Sequence, residues 1–318
     1  VTPRLYRTLA ASTVVATLVL IAVGAFVRTT GSGLGCPDWP QCHGAWVPPL
    51  ERTAIVEYSH RTAAVVVSVL VYGLAAATYA TRRHDRALVQ LASMSVIVLL
   101  VQAYLGKITV ERELPPWVVT SHMSTALLLL AAVSAMTAIS WRERRVAASA
   151  TPQRASVLRA LLVASVTTYV VLIWGAYVVK TGAGTSCISW PGCSAAPTPF
   201  VDGGLAQTIQ WVHRLSVVVE GAVLGWAALV LRREAPGLQR GAWALVWLYG
   251  AQVLVGALNI WTDFSAAARV THLALAATIW AVLIVTTVAA WYGEASEDAR
   301  PASDGARTRT REEQSAGA

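Results

Sequence analysis

Charged side chains are scarce: Asp, Glu, Lys and Arg make up 13% of the 318 residues, about half the share usual in soluble domains. That deficit excludes a water-soluble enzyme. Cysteine is scarce as well, and four residues are too few for a fold built on disulfides. Basic residues are in excess, with a formal net charge of +8, yet they are not gathered into one stripe, so no nucleic-acid partner is expected. What the chain has instead is apolar side chains, 55% of the total, giving a mean hydropathy of +0.54. They come in runs of about twenty, the length that crosses a ~30 Å hydrocarbon layer.

Eight runs qualify as spans: Leu9 to Val27, Val56 to Tyr79, Leu88 to Gly106, Trp117 to Ser140, Leu158 to Val178, Thr208 to Leu231, Ala242 to Trp261 and Arg269 to Trp291. The pattern predicts an all-α polytopic membrane protein in contact with lipid. The first run exceeds a signal-peptide core, and Arg28-Thr29-Thr30 follows it in place of a small-residue cleavage pattern, so it is expected to persist as a helix. Arg4 and Arg7 precede the first span, and Arg82, Arg83 and Arg86 follow the second. Arg142, Arg144, Arg145 and Arg154 follow the fourth, and Arg232, Arg233 and Arg240 follow the sixth. All of these fall on one side, which the positive-inside rule makes cytoplasmic. Both termini are then on the cytoplasmic side of the cell membrane, and the loops Arg28 to Ile55 and Val179 to Gln207 face outward. From Gly293 to Ala318 the chain is rich in Ala, Ser, Arg and Glu without periodicity and is expected to be a disordered cytoplasmic tail.

The chain repeats itself. GAFVRTTGSGLGCPDWPQC from Gly24 to Cys42 and GAYVVKTGAGTSCISWPGC from Gly175 to Cys193 agree at ten of nineteen positions. Further on, EYSHR (Glu57 to Arg61) matches QWVHR (Gln210 to Arg214), VTSH ending at His122 matches RVTH ending at His272, and Gln102 and Gly106 match Gln252 and Gly256. These matches predict two tandem pseudo-symmetric four-helix bundles, residues 1–150 and 151–292, related by an axis along the membrane normal. Core sites should then come in pairs.

Of six histidines, His84 lies in the cytoplasmic RRHDR loop and His43 follows a loop cysteine, and neither needs a role beyond solvation. His60, His122, His213 and His272 each fall inside a span, where an ionisable side chain is costly and faces the bundle interior. His60 and His122 sit near the outer starts of the second and fourth helices, which run in the same direction, so the imidazoles can face each other at one depth. His213 and His272 repeat the arrangement. Facing imidazoles in a helical bundle bind haem iron from both faces. Zinc wants four ligands, and each bundle offers two histidines; a proton relay or plain packing would also place histidines inside a span. Arg61, Arg214 and Arg269 flank these histidines and are candidates for pairing with haem propionates or for snorkelling to the headgroups.

The halves differ in their carboxylates, at Glu57 against Gln210 and, the other way round, at Glu220 against Val67. Glu57, three residues before His60, shares its helix face, and its counterpart is Gln210, which cannot titrate. A carboxylate beside a haem is a candidate acid, base or charge stabiliser; an interfacial ion pair with Arg61 is the plainer role. Glu220, seven residues after His213, has no assigned role. Cys36 with Cys42, and Cys187 with Cys193, can each close a short outward loop as a structural disulfide. A redox-active first pair, or zinc with His43, would use the same residues differently.

Together these features resemble the haem A synthase family in its bacterial form. The resemblance covers residues 5 to 292 and rests on the combination of duplicated unit, EYSHR and QWVHR, four intramembrane histidines and paired cysteine loops. It implies an iron-dependent membrane oxidase that converts a ring methyl of haem O to the formyl group of haem A. It also implies that His213 and His272 hold a haem B cofactor, that His60 and His122 with the catalytic Glu57 form the site for haem O, and that Cys36 and Cys42 matter more to function than the second pair. The hydrophobic substrate makes a haem O synthase a candidate partner, and the oxidation requires an electron partner of unassigned identity. The rivals are a dihaem cytochrome-b-like electron carrier, against which the Glu57 and Gln210 asymmetry counts, and a thiol-disulfide oxidoreductase, which leaves four histidines without a purpose.

Overall fold

The computed structural model describes residues 1–141, 152–193 and 204–292. Its helices are α1 (Pro3–Thr29), α2 (Arg52–Thr81), α3 (Arg86–Glu111), α4 (Pro116–Ser140), α5 (Pro152–Lys180), α6 (Leu205–Glu234), α7 (Gln239–Trp261) and α8 (Ala266–Tyr292). Eight helices are long and apolar enough to cross a membrane, and there are no strands among the described residues. Each expected span is present and longer than its apolar run. Helix α2, for example, starts at Arg52 rather than Val56, and α3 continues to Glu111 rather than stopping at Gly106. Backbone hydrogen bonds carry a helix on into its polar flanks, where a hydropathy count stops. The expected tail from Gly293 to Ala318, together with Arg142, Arg144 and Arg145, lies outside the described residues.

Local chemistry marks the helix ends. The Thr2 hydroxyl accepts from the Leu5 amide at 3.2 Å, and the Asp85 carboxylate accepts from the Leu88 amide at 3.1 Å, so each occupies a backbone donor that a helix start leaves free. Pro116 opens α4, at a position where a missing N–H is not needed. Two corners return the chain abruptly. After α3, Glu113 and Leu114 adopt φ of 56° and 62°, and after α7, Asp263 and Phe264 adopt φ of 51° and 56°. In both, the second residue reaches back into the helix: Leu114 N–H to the Thr109 carbonyl at 2.8 Å, and Phe264 N–H to the Asn259 carbonyl at 2.6 Å. Left-handed conformation costs about 1–2 kcal/mol for a residue with a Cβ. The result is that α4 and α8 restart within a few residues, with His122 and His272 in their second turn.

Hydroxyl groups inside the spans are turned back on their own helices. Thr13, Ser68, Thr78 and Ser95 donate to carbonyls one turn earlier at 2.8 Å, and Thr17 does so at 2.7 Å, so these five are paired in hydrocarbon, whereas the Ser134 hydroxyl is buried without a partner.

Helix contacts close into two rings: α1, α2, α3 and α4 touch in order and α4 returns to α1, while α5, α6, α7 and α8 do the same. The rings meet where α8 packs on α1 and α4, and where α4 packs on α5. That joint is apolar, built from Ile21, Leu127, Leu130, Ala277 and Trp280. The Trp280 indole donates to the Leu127 carbonyl at 2.9 Å and lies 5.5 Å from the Tyr169 ring. Lipid is as apolar as leucine, so this joint depends on close fit and these polar ties rather than on excluding water. In each ring, the histidine helices (α2 and α4, or α6 and α8) occupy opposite corners.

Candidate functional site

Each first histidine is followed by an arginine that folds over the cysteine loop. Cys36 and Cys42 are bonded, with Cα atoms 4.6 Å apart, and Cys187 and Cys193 are bonded at 4.4 Å. The Arg61 guanidinium donates to the carbonyls of Asp38 at 2.6 Å, Gln41 at 2.7 Å and Cys36 at 2.8 Å. The Arg214 guanidinium donates to the matching carbonyls of Ser189 at 2.7 Å, Gly192, and Cys187 at 3.3 Å. Both arginines therefore clamp a disulfide loop onto the helix that carries the adjacent histidine. Sequence reasoning points these two side chains to propionates or headgroups and misses the loop carbonyls, because nothing in the spacing reveals where the loop backbone turns. Within the first loop, the Gly44 and His43 amides donate to the exposed Asp38 carboxylate at 2.7 and 2.6 Å and hold it below the usual carboxylate range. The His43 ring is exposed and contacts the Gly35 carbonyl at 3.0 Å, and His84 is exposed too.

Glu57 is buried, and Arg61 Nε donates to its Oε1 at 3.3 Å. The other half has the arginine without the acid: Gln210 Oε1 is buried with no hydrogen-bond partner. One half thus holds a buried ion pair beside its first histidine, and the other holds a neutral amide.

His122 lies within electrostatic reach of His60, and His213 within reach of His272, each pair spanning opposite corners of its ring. In all four, Nδ1 is buried and lacks a partner. The second histidine of each pair has a glutamine beside it: Gln102 Nε2 is 3.3 Å from His122 Nε2, and Gln252 Nε2 is 3.3 Å from His272 Nε2. The amide oxygens differ, since Gln102 Oε1 accepts from the Thr125 hydroxyl while Gln252 Oε1 is buried and unpartnered. Leu275 stands in the repeat position of Thr125. The repeat matches the two glutamines, but their approach to histidine depends on how α3 and α7 are rotated.

Arg269 sits apart from the loop clamps. Its Nη2 approaches the Thr29 carbonyl at 3.4 Å, and its Nε is buried without a partner. Arg28 is within electrostatic reach of Arg269, Lys180 and His272. Among the described residues no salt bridge ties Arg28, Lys180 or Arg269. This cationic group draws on both rings, so its members stand far apart in the chain and only Arg269 was visible as a candidate. Glu220 is buried in α6, within reach of Thr168 on α5 and Tyr249 on α7, about two turns from His213.

The donor set suits haem. Paired imidazoles with unpartnered nitrogens, set across a helical ring, match bis-histidine ligation. Among the described residues no group of three or more His, Cys, Asp or Glu gathers at metal-binding distance, so the four ligands that structural zinc requires are not brought together there.

The sequence profile of the COX15-CtaA family, described as cytochrome oxidase assembly protein, matches residues 7–284. The chain belongs to this family. The matched stretch includes all four cysteines and all four intramembrane histidines. Similar proteins carry the name heme A synthase. One from Symbiobacterium thermophilum is 31% identical over 278 residues, covering 84% of this chain and 90% of that one. Another from Geobacillus thermodenitrificans is 28% identical over 283 residues, covering 86% and 88%. A third from Bacillus licheniformis is 29% identical over 245 residues, covering 76% and 80%.

Proposed function

We infer that this protein acts as a haem A synthase, a multi-pass membrane oxidoreductase that oxidises a ring methyl of haem O to the formyl group of haem A. Family membership and the relatives of that name support the activity. The observation that carries the site is the doubled pair of half-buried histidines, each with a buried, unpartnered Nδ1, one pair with a carboxylate beside it and the other with an amide.

In our reading the chain is two pseudo-symmetric four-helix halves, 1–150 and 151–292, with both termini cytoplasmic and both disulfide loops on the extracytoplasmic side. His213 and His272 hold haem B, which supplies one-electron redox chemistry when bound. Arg269, with Arg28 and Lys180 beside it, offers cationic partners for carboxylates at the outer rim of that site. His60 and His122 receive haem O. Oxidising a methyl carbon to the aldehyde level releases protons and electrons, so a group that takes up a proton or balances developing positive charge is needed next to the substrate. Glu57 fills that role, and Arg61 orients it through the Nε contact. The unpaired amide of Gln210 has similar shape without the charge, as suits a half that retains its haem unchanged. All four sulfurs are buried, which favours structural disulfides over exchange with a partner thiol. A haem O synthase is a fitting supplier of so apolar a substrate, and an electron partner completes the reaction.

Haem extraction and mass measurement after expression with a source of haem O tests this reading. A species shifted in mass from methyl towards formyl is expected. Recovery of unaltered haem alone would leave an electron carrier as the better description.

A further inference from the structure

Every one of the four intramembrane histidines packs its ring edge against a glycine of the preceding helix. A Cβ added at Gly24 on α1 would lie 3.1 Å from Cε1 of His60, and one at Gly106 on α3 would lie 3.2 Å from Cε1 of His122. The second half repeats the construction: Gly175 on α5 would meet His213 at 3.1 Å, and Gly256 on α7 would meet His272 at 3.4 Å. At Gly24 the Cε1 corner of the ring is nearest, with Nδ1 and Nε2 nearly equidistant behind it at 3.6 and 3.7 Å. Of the other helical glycines, Gly73, Gly225 and Gly250 would place a Cβ with nothing within 4 Å, while Gly221 and Gly241 would meet Tyr249 at 2.9 Å and Thr286 at 2.7 Å, neither of them a histidine.

A metal-bound histidine is ordinarily fixed in orientation by a hydrogen bond from its other ring nitrogen. Here Nδ1 is unpartnered in all four, and among the described residues His60 and His213 have no glutamine like those beside His122 and His272. At His60 and His213 steric contact is left to do what the hydrogen bond usually does, and at His122 and His272 it acts beside the glutamine amide. We propose that Gly24, Gly106, Gly175 and Gly256 are positioning residues, bare backbone seats that set the plane and depth of each imidazole and so the geometry of haem ligation. The inference rests on the reading of these histidines as haem ligands. The seats are graded: the 3.1 and 3.2 Å approaches leave no room for a methyl group without a ring shift of a few tenths of an ångström, whereas 3.4 Å is ordinary van der Waals contact. Alanine is also a better helix former than glycine, so any loss on Gly→Ala runs against the backbone preference.

The test uses the full chain, purified with its resident haem, as Gly175→Ala, Gly256→Ala, Gly225→Ala, Gly250→Ala and His213→Ala, read by haem content and by electron paramagnetic resonance of the low-spin ferric signal. Gly175→Ala is expected to shift the low-spin g values outside the spread of the Gly225→Ala and Gly250→Ala controls and to lower haem retention. Gly256→Ala should shift them far less. Gly24→Ala should leave the resident signal unchanged and weaken haem O binding in a titration, which keeps the idea open to test should Gly175→Ala fail to fold. Wild-type g values in Gly175→Ala and wild-type haem O binding in Gly24→Ala, with haem lost from His213→Ala, would overturn the seats and leave ligation standing. Full haem content in His213→Ala would instead remove the ligand reading beneath them.

Discussion

The two halves of this chain share a framework and differ where chemistry is expected. In each, an arginine one residue past the first histidine clamps a disulfide loop through three matching carbonyls, and a glutamine on the third helix reaches the second histidine at 3.3 Å. Against that constancy, the first half places a buried carboxylate where the second has an amide, and anchors its glutamine through Thr125 where the second has Leu275. The internal repeat gives two matching histidine pairs, and in the function proposed above the one polar difference beside the first histidine is what separates the site that changes its haem from the one that keeps it.

The sharpest way to break this contrast is to erase it. Glu57→Gln makes the first half copy the second, and general-base contributions of roughly 10²–10⁴ in rate are typical. The variant is expected to fold, to keep its resident haem and to form little or no haem A, with a hydroxylated form of the substrate accumulating in extracted haem. Wild-type output would remove Glu57 from the mechanism.

The shared feature is tested by cutting both clamps. Arg61→Gln and Arg214→Gln each remove several charge-assisted hydrogen bonds to carbonyls, and a loss of about 2 kcal/mol or more is expected from each, read as a lower thermal midpoint and faster proteolysis of the cysteine loop. Only Arg61→Gln should also depress haem A formation beyond its loss of folded protein, because only Arg61 holds a carboxylate. Equal catalytic losses from both would show the clamp, rather than Glu57, to be what matters.

A smaller difference lies in the loops themselves. Asp38 accepts from two amides in the first loop, and Ser189 occupies its place in the second. Its folded pKa is lowered, so its contribution is full above the unfolded value of about 3.9 and is lost as pH falls through the folded one. Amide exchange at Gly44 should therefore quicken, relative to the pH trend of the second loop, on acidification below about pH 4. Parallel behaviour of the two loops would contradict the role given to Asp38.

The spans were legible because about twenty apolar residues in a row have few other uses, and the internal repeat made four histidines into two pairs. The contacts that refine the site were not legible. Arg61 and Arg214 were conspicuous beside their histidines, yet their partners are backbone carbonyls whose direction is set by the folded loop. Gly24 and Gly106 stood in the repeat without a reason, since a glycine's use as a seat depends on which side chain crosses it. Arg28 and Lys180 join Arg269 only because the last turns of α1 and α5 come near the first turn of α8, a long-range packing fact with no periodic signature.

The division of labour between the halves is tested most directly by haem B content and haem A yield, measured side by side in His60→Ala, His122→Ala, His213→Ala and His272→Ala. Loss of haem B from the His213 and His272 variants is predicted, with haem B retained and haem A abolished in the His60 and His122 variants. Haem B lost only from the first-half variants would reverse the assignment, and unchanged haem B in all four would contradict it.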